Sequence, residues 1–320
     1  MKILVLRGGA LGDFVVTLPA IGLLRAGWPE ARIELAGNAR AAQLGLCPQY
    51  LDTVHSQHDL RWNRLGADMA HALDPGEPLA RWLAGFDLVV NFWPDPDGAI
   101  ARDFAMLGFK AEGGCIAIHY PAQPEHAPAA AHFCEALRPL GLQTRVFTSR
   151  IRTTPAARVA AEMQLPNFGG ARIAWHPGSG SMRKNWPIER WLEVIRQTIG
   201  RDPSLRLVVI LGEADAHLKS GLRRPGLLPP HTTMLCDDPP DRLAALLERC
   251  ALFLGHDTGP AHVAAAVGCK CVLVFGPTDP AMWAPPASGA QVLRRGENTE
   301  AVGVQEVEAA ILQARREDGV

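Results

Sequence analysis

A chain of 320 residues with 48% apolar side chains can bury cores for two domains of ordinary size. Its formal net charge of −1 lacks the basic surplus of a nucleic-acid-binding protein. No apolar run approaches the roughly 20 residues of a membrane helix, and no signal peptide precedes the first strand, so the expectation is a soluble cytoplasmic protein, docked at most to a membrane surface.

Apolar runs alternate with helical patterns, as in a parallel sheet covered on both faces. In the first half, strands are expected at Ile3–Leu6, Arg32–Leu35, Asp87–Asn91 and Cys115–Ile118. Helices are expected at Asp13–Ala26, Pro78–Ala84, Gly98–Leu107 and Ala129–Leu140. The stretch from Ile151 to Gly170, with Pro155, Pro166 and Gly169-Gly170, reads as a helix plus linker. The expected domains are therefore residues 1–155 and 156–320. The second half restarts with strands at Arg172–Trp175, Leu207–Leu211, Ala251–Leu254 and Cys271–Phe275. Its helices are expected at Ile188–Gly200, Ala214–Leu222, Asp241–Cys250, Pro260–Val267 and Val304–Arg316. The last helix, striped by Val304, Val307, Ile311 and Ala314, either stays in the second domain or packs back on the first. Two doubly wound domains leave a cleft, and ligands of such sheets sit outside the carboxyl ends of the strands. The seven cysteines form no CxxC pair and read as reduced thiols, mostly core filler.

Five turns at expected strand ends carry polar groups. The first is Arg7-Gly8-Gly9-Ala10-Leu11-Gly12-Asp13. Its glycine spacing departs from the dinucleotide fingerprint and it lacks the P-loop lysine. Asp13 reads either as a general base at a helix start or as a helix N-cap. The second, His176-Pro177-Gly178-Ser179-Gly180-Ser181-Met182-Arg183-Lys184-Asn185-Trp186-Pro187, brings hydroxyls, glycines and cations that suit phosphate, or forms a solvated surface loop. His176 by itself reads as a structural histidine. The third, Leu211-Gly212-Glu213-Ala214-Asp215, places a carboxylate for a ribose hydroxyl or for a cap. The middle of the first domain, Asn38 to Ile151, between the first and second of these turns, carries no such motif.

The most informative stretch is Leu254-Gly255-His256-Asp257-Thr258-Gly259-Pro260-Ala261-His262, where a buried strand meets a helix start. Pro260 suits the first helical turn, Gly259 permits close approach, and the helix end attracts a phosphate. A plain helix capped by Asp257 or Thr258 is the other reading. Phe275-Gly276-Pro277-Thr278-Asp279-Pro280 closes the series and is explicable as a turn.

Together these stretches resemble glycosyltransferase family 9, the ADP-heptose:lipopolysaccharide heptosyltransferases. Ile3-Leu4-Val5-Leu6-Arg7 through Asp13 and Thr17-Leu18-Pro19-Ala20 are similar to its opening. His176-Pro177-Gly178 with Lys184 and Trp186-Pro187 is similar to its second-domain loop. Asp257 to His262, Ala264-Ala265 and Phe275 to Pro280 resemble its most specific block. The resemblance implies an α/β GT-B fold, two Rossmann-like domains facing across a cleft, and inverting transfer of a sugar from a nucleotide donor, ADP-linked, to a lipopolysaccharide core or other cell-envelope glycan. It implies Asp13 as the catalytic base, with Gly9 and Gly12 in the acceptor-side turn. It implies Lys184, Thr258 and Gly259 on the diphosphate, with Asp257 and His262 near by. Glu213 stands as the ribose contact, with Asp215 competing, and Ser179 and Ser181 as donor-loop residues. No metal and no further cofactor are implied. Partners are the nucleotide sugar and a lipid-linked or glycan acceptor, which leaves room for peripheral contact with the inner membrane. A family member with another donor or acceptor, an idle sugar-nucleotide-binding protein, and a GT-B-type epimerase are the alternatives. The last would need acid and base groups around the sugar, and no clear set is present.

Overall fold

In the computed structural model, which describes residues 1–67, 73–110, 113–125, 128–165, 169–287 and 289–316, the run Ile3-Leu4-Val5-Leu6 is fully buried in the strand β1 (Lys2–Arg7). Continuous apolar character fits a central parallel strand covered on both faces. The first unit, Met1–Phe147, continues with α1 (Leu11–Gly27), β2 (Arg32–Gly37), α2 (Ala39–Ala42), β3 (Thr53–Ser56) and α3 (Pro78–Leu83). It ends with β4 (Leu88–Asn91), α4 (Ala99–Met106), β5 (Ile116–His119) and α5 (Ala129–Glu135). All strand pairs are parallel, in the order β3-β2-β1-β4-β5. Leu6 pairs with Ala36 on one side and with Asn91 on the other.

The second unit, Thr148–Val320, opens with α6 (Pro155–Gln164), β6 (Arg172–Trp175), α7 (Ile188–Arg201), β7 (Arg206–Leu211), α8 (Leu218–Leu222) and β8 (Thr233–Cys236). It goes on through α9 (Pro240–Leu247), β9 (Leu252–His256), α10 (Gly259–Ala266), β10 (Lys270–Phe275), α11 (Pro280–Trp283), β11 (Ala290–Arg294) and α12 (Val304–Arg316). Its sheet is parallel throughout, ordered β11-β10-β9-β6-β7-β8. Each sheet thus winds outward from its first strand, then returns and winds outward the other way, as in Rossmann-like folds. The topological switch points, where such sheets bind ligands, fall between β1 and β4 and between β6 and β9.

Several expectations shift. The seam between units lies ahead of Thr148 rather than after residue 155. The approach to α6 is tied to the second unit: Thr148 Oγ1 donates to the Pro286 carbonyl (2.7 Å) and the Ile151 N–H to that of Ala266 (2.9 Å). The helix expected over 129–140 stops at Glu135 and resumes as a tight turn over Arg138–Leu140. Pro139 lacks the N–H that would bond the Glu135 carbonyl. The helix expected over 214–222 is likewise split, into a 3-10 turn at Glu213–Asp215 and α8. α12 packs on α7, β10 and β11 of its own unit, through buried Val307, Ala310, Ile311 and Ala314. All seven cysteines are free thiols.

Candidate functional site

In the first unit, β1 ends in Arg7, and the chain turns through Gly8 and Gly9 into α1. Gly9 has φ +96°, and a Cβ there would lie 2.7 Å from the Asp13 carboxylate, so the turn needs glycine twice over. Gly12 is not part of that turn; it lies in the first turn of α1, which begins at Leu11. Nor is Asp13 the N-cap. Ala10 holds that position, and Asp13 reaches back as the third helical residue to accept the Ala10 N–H at Oδ2 (2.8 Å). Its other oxygen, Oδ1, receives Arg7 Nη2 at 3.1 Å. The Asp13 side chain remains about one-third exposed, at 33%.

Arg7 is the functional neighbour that sequence reasoning quoted without a role. It is only 5% exposed, and its guanidinium also donates to Thr17 Oγ1 (3.0 Å) and the Ala122 carbonyl (3.3 Å). Its Cζ lies 4.5 Å from the Phe133 ring centroid. Burial pulls the guanidinium below its usual basicity and the Asp13 charge opposes that pull. The available signal was an arginine closing a strand that is otherwise wholly apolar.

In the second unit the switch point between β6 and β9 gathers the expected donor-site residues. Lys184 Nζ donates to Asp257 Oδ2 at 2.7 Å, and His262 Nε2 lies 3.8 Å from Asp257 Oδ1. Burial pushes the Asp257 carboxyl up, but His262 and Lys184 outweigh it and hold it below its usual value. Asp257 is therefore the counter-ion that fixes an otherwise flexible lysine, and an anion in that role does not itself bind phosphate. Thr258 caps α10 by position, but its hydroxyl makes no capping bond. Oγ1 lies 3.4 Å from both His176 Nδ1 and the His256 carbonyl. The N–H groups of Ala261 and His262 return to the Thr258 carbonyl (3.1 and 3.3 Å), and Pro260 has none. The N–H groups of Thr258 and Gly259 are the ones at the open end of the helix.

Burial separates Glu213 from Asp215. Asp215 is 2% exposed and accepts from Gly212 N–H (3.0 Å) and His176 Nε2 (3.0 Å), while Glu213 is exposed. Burial raises the Asp215 carboxyl, but its bond with His176 overcomes that and leaves it below the usual range. Its second oxygen packs so close to Gly178 that a Cβ there would lie 1.7 Å away.

Ser179 is spent inside the loop: its Oγ lies 2.6 Å from both the Ser181 carbonyl and Asn185 Oδ1. The Ser181 side chain is exposed and makes no capping bond. Behind the loop, His256 is fully buried. Its Nε2 accepts from Trp186 N–H (2.8 Å) and Trp191 Nε1–H (3.2 Å), so the ring proton sits on Nδ1, which faces the Gly178 carbonyl at 3.3 Å. Burial holds its pKa down to about 3, so it is a neutral strut that anchors the loop.

The family model for glycosyltransferase family 9 (heptosyltransferase) matches residues 125–310, more than half of the chain. Lipopolysaccharide heptosyltransferase 3 of Escherichia coli is 27% identical over 151 residues, 47% of this chain and 44% of that relative, so the match spans less than half of the relative's length. A glycosyltransferase family 9 structure from Veillonella parvula superposes with a TM-score of 0.79 at 19% identity, covering 99% of this chain and 97% of that one. The E. coli ADP-heptose lipopolysaccharide heptosyltransferase II superposes with a TM-score of 0.77 at 17% identity over the whole of both chains. At such identities the superpositions establish the fold alone, a GT-B fold built from two Rossmann-like units. With the family model matched across both the His176–Pro187 loop and the α10 turn, the chain belongs to glycosyltransferase family 9, the heptosyltransferases.

Proposed function

We propose that the protein transfers a heptose or closely related sugar from an ADP-linked donor to a lipopolysaccharide core or other cell-envelope glycan, inverting the anomeric carbon. The observation that carries this reading is the Lys184 ammonium, fixed 2.7 Å from Asp257 at the start of α10 in a member of this family. As the glycosidic bond breaks, its electron pair leaves with the nucleoside diphosphate. Lys184, the N–H groups of Thr258 and Gly259 and the α10 dipole stabilise that charge. Glu213 takes the ribose. Asp13 removes the proton of the attacking hydroxyl, with its carboxylate held by Arg7 and the Ala10 N–H while part of it stays open. The protein's own cation offsets the diphosphate charge, so no metal is assigned to the reaction. A lipid-linked acceptor would bring the protein to the cytoplasmic face of the inner membrane as a peripheral visitor. Among the described residues no helix is long and apolar enough to cross a membrane.

The test is turnover of ADP-heptose against UDP- and GDP-linked sugars in excess EDTA, reading nucleotide release and the anomeric configuration of the product by NMR. ADP release with inversion is expected. Preference for another nucleotide, retention of configuration, a strict Mg²⁺ requirement, or binding without turnover would each overturn the corresponding part.

A further inference from the structure

The switch point of the first unit carries two side chains that the reaction above leaves unused. Trp93 follows β4 and Gln57 follows β3. Between them β2 ends in Gly37, where a Cβ would lie 2.0 Å from the Arg7 carbonyl oxygen. With no side chain on β2 in the way, Gln57, whose N–H donates to the Gly37 carbonyl (2.7 Å), reaches across to β1. A Cβ on Gly8 would lie 3.1 Å from Gln57 Oε1 and 3.8 Å from Trp93 Cδ1 and Nε1. At the next residue, Gly9, a Cβ would lie 2.7 Å from the Asp13 carboxylate. An amide, an indole and a carboxylate therefore gather around one two-residue turn.

Trp93 is rigid without being covered. Its N–H donates to Asn91 Oδ1 (2.9 Å), and its ring meets Trp62 edge to face at 5.2 Å and 86°. Trp62 is buried and donates Nε1–H to the Ser56 carbonyl (2.9 Å). Trp93 and Gln57 are themselves only half-buried. A rigid, part-exposed indole offers a flat apolar face with a donor at its rim, and a neighbouring carboxamide supplies one acceptor and two donors. That combination matches a pyranose, whose C–H face is apolar and whose hydroxyls lie around the edge. Arg7, the cation beside the turn in sequence, is buried and committed to Asp13, Thr17 and Ala122. It has no fork to offer a carboxylate or phosphate.

We infer that Trp93 and Gln57 form a subsite for an uncharged pyranose ring next to Asp13, the acceptor sugar of the transfer. The acceptor role rests on Asp13 being the base; the ring-binding claim does not. The full chain labelled with 5-fluorotryptophan tests it by ¹⁹F NMR, the Trp93 resonance being the one missing in Trp93→Phe. The probes are methyl α-mannopyranoside, the methyl glycoside of a heptopyranose and that of a carboxylated ulosonic acid. The neutral glycosides should shift the Trp93 resonance saturably and leave those of Trp186 and Trp191 in place. In ligand-observed saturation transfer, one face of the sugar ring should receive the signal. Trp93→Ala should weaken binding about tenfold, the scale of one aromatic contact; Gln57→Ala should weaken it too, and Trp93→Phe less than Trp93→Ala.

A Trp93 resonance that does not move, a response to the carboxylated glycoside alone, or unchanged affinity in both Trp93→Phe and Gln57→Ala overturns the subsite, even if Trp93→Ala fails to fold. Sugar binding with full turnover in Asp13→Asn would instead remove the base and the acceptor role and keep the subsite.

Discussion

Asp13 holds two structural bonds and is assigned a chemical task, and substitution separates the two. In Asp13→Ala both the Ala10 N–H contact (2.8 Å) and the Arg7 contact (3.1 Å) are lost. Arg7, 5% exposed, keeps Thr17 and Ala122 but loses its carboxylate partner. The Ala10 contact is a cap bond of about 1 kcal/mol and the ion pair adds a similar amount because Asp13 is partly solvated, so the loss is about 2 kcal/mol. Asp13→Asn keeps one oxygen acceptor and should lose about half of that, a fall of roughly 3 °C in melting temperature for a unit of this size. Against this modest change, loss of a general base should lower kcat by about 10²–10⁴, or roughly 2.7–5.5 kcal/mol of barrier. The assay measures donor turnover and melting temperature for both variants, with donor KM as a control because Asp13 lies outside the unit to which the nucleotide is assigned. Folded Asp13→Asn protein with near-native kcat would show that the carboxylate only staples the helix start.

Three further outcomes follow from the same geometry. Lys184→Ala should weaken ADP binding by about 1.5–3 kcal/mol in calorimetry, the range for a hydrogen bond to a charged group; unchanged affinity would remove Lys184 from the donor site. Arg7→Lys keeps the charge, but a single ammonium cannot serve Asp13, Thr17 and Ala122 together. Its kcat should fall about tenfold with donor KM unchanged, and a shift in KM alone would place Arg7 outside the Asp13 machinery. His256 is held neutral to about pH 3 by burial, while its unfolded-state pKa is about 6.5. Because only the unfolded chain takes up this proton as pH falls from 6.5 toward 3, stability from this group is full above that window. It should be lower by about 2 kcal/mol at pH 5. Urea unfolding of wild type and His256→Gln at neutral pH and near pH 5 should show a smaller loss in the variant, and parallel pH slopes would refute the neutral-strut assignment.

How much of this was legible in the sequence follows from where each residue sits in the sheets. Central strands such as β1 and β9 announce themselves because burial on both faces demands unbroken apolar runs. The three strands without a readable signal, Thr53–Ser56, Thr233–Cys236 and Ala290–Arg294, all lie at sheet edges. There one flank is unpaired and half-buried residues suffice, so Thr, His and Gln dilute the pattern. The site divides in the same way. Lys184, Asp257 and Thr258 stood out as motif residues, because a turn that feeds a helix start needs special residue types.

Their pairing did not stand out. Lys184 and Asp257 are 73 residues apart and meet only because β6 and β9 are neighbours at the switch point, a fact of strand order rather than of local pattern. Asp215 and Glu213 were indistinguishable for the same reason: only His176, arriving from β6, claims one of them. Trp93 and Gln57 are the extreme case. Neither belongs to a motif, and their convergence on Gly8 depends on β2 ending in a glycine two strands from one and one from the other. Chemistry that resides in a single turn can be read from its residues. Chemistry assembled across a switch point becomes readable once the strand order is known, and for that reason the carboxyl ends flanking β1 and β4 deserve the same scrutiny as those flanking β6 and β9.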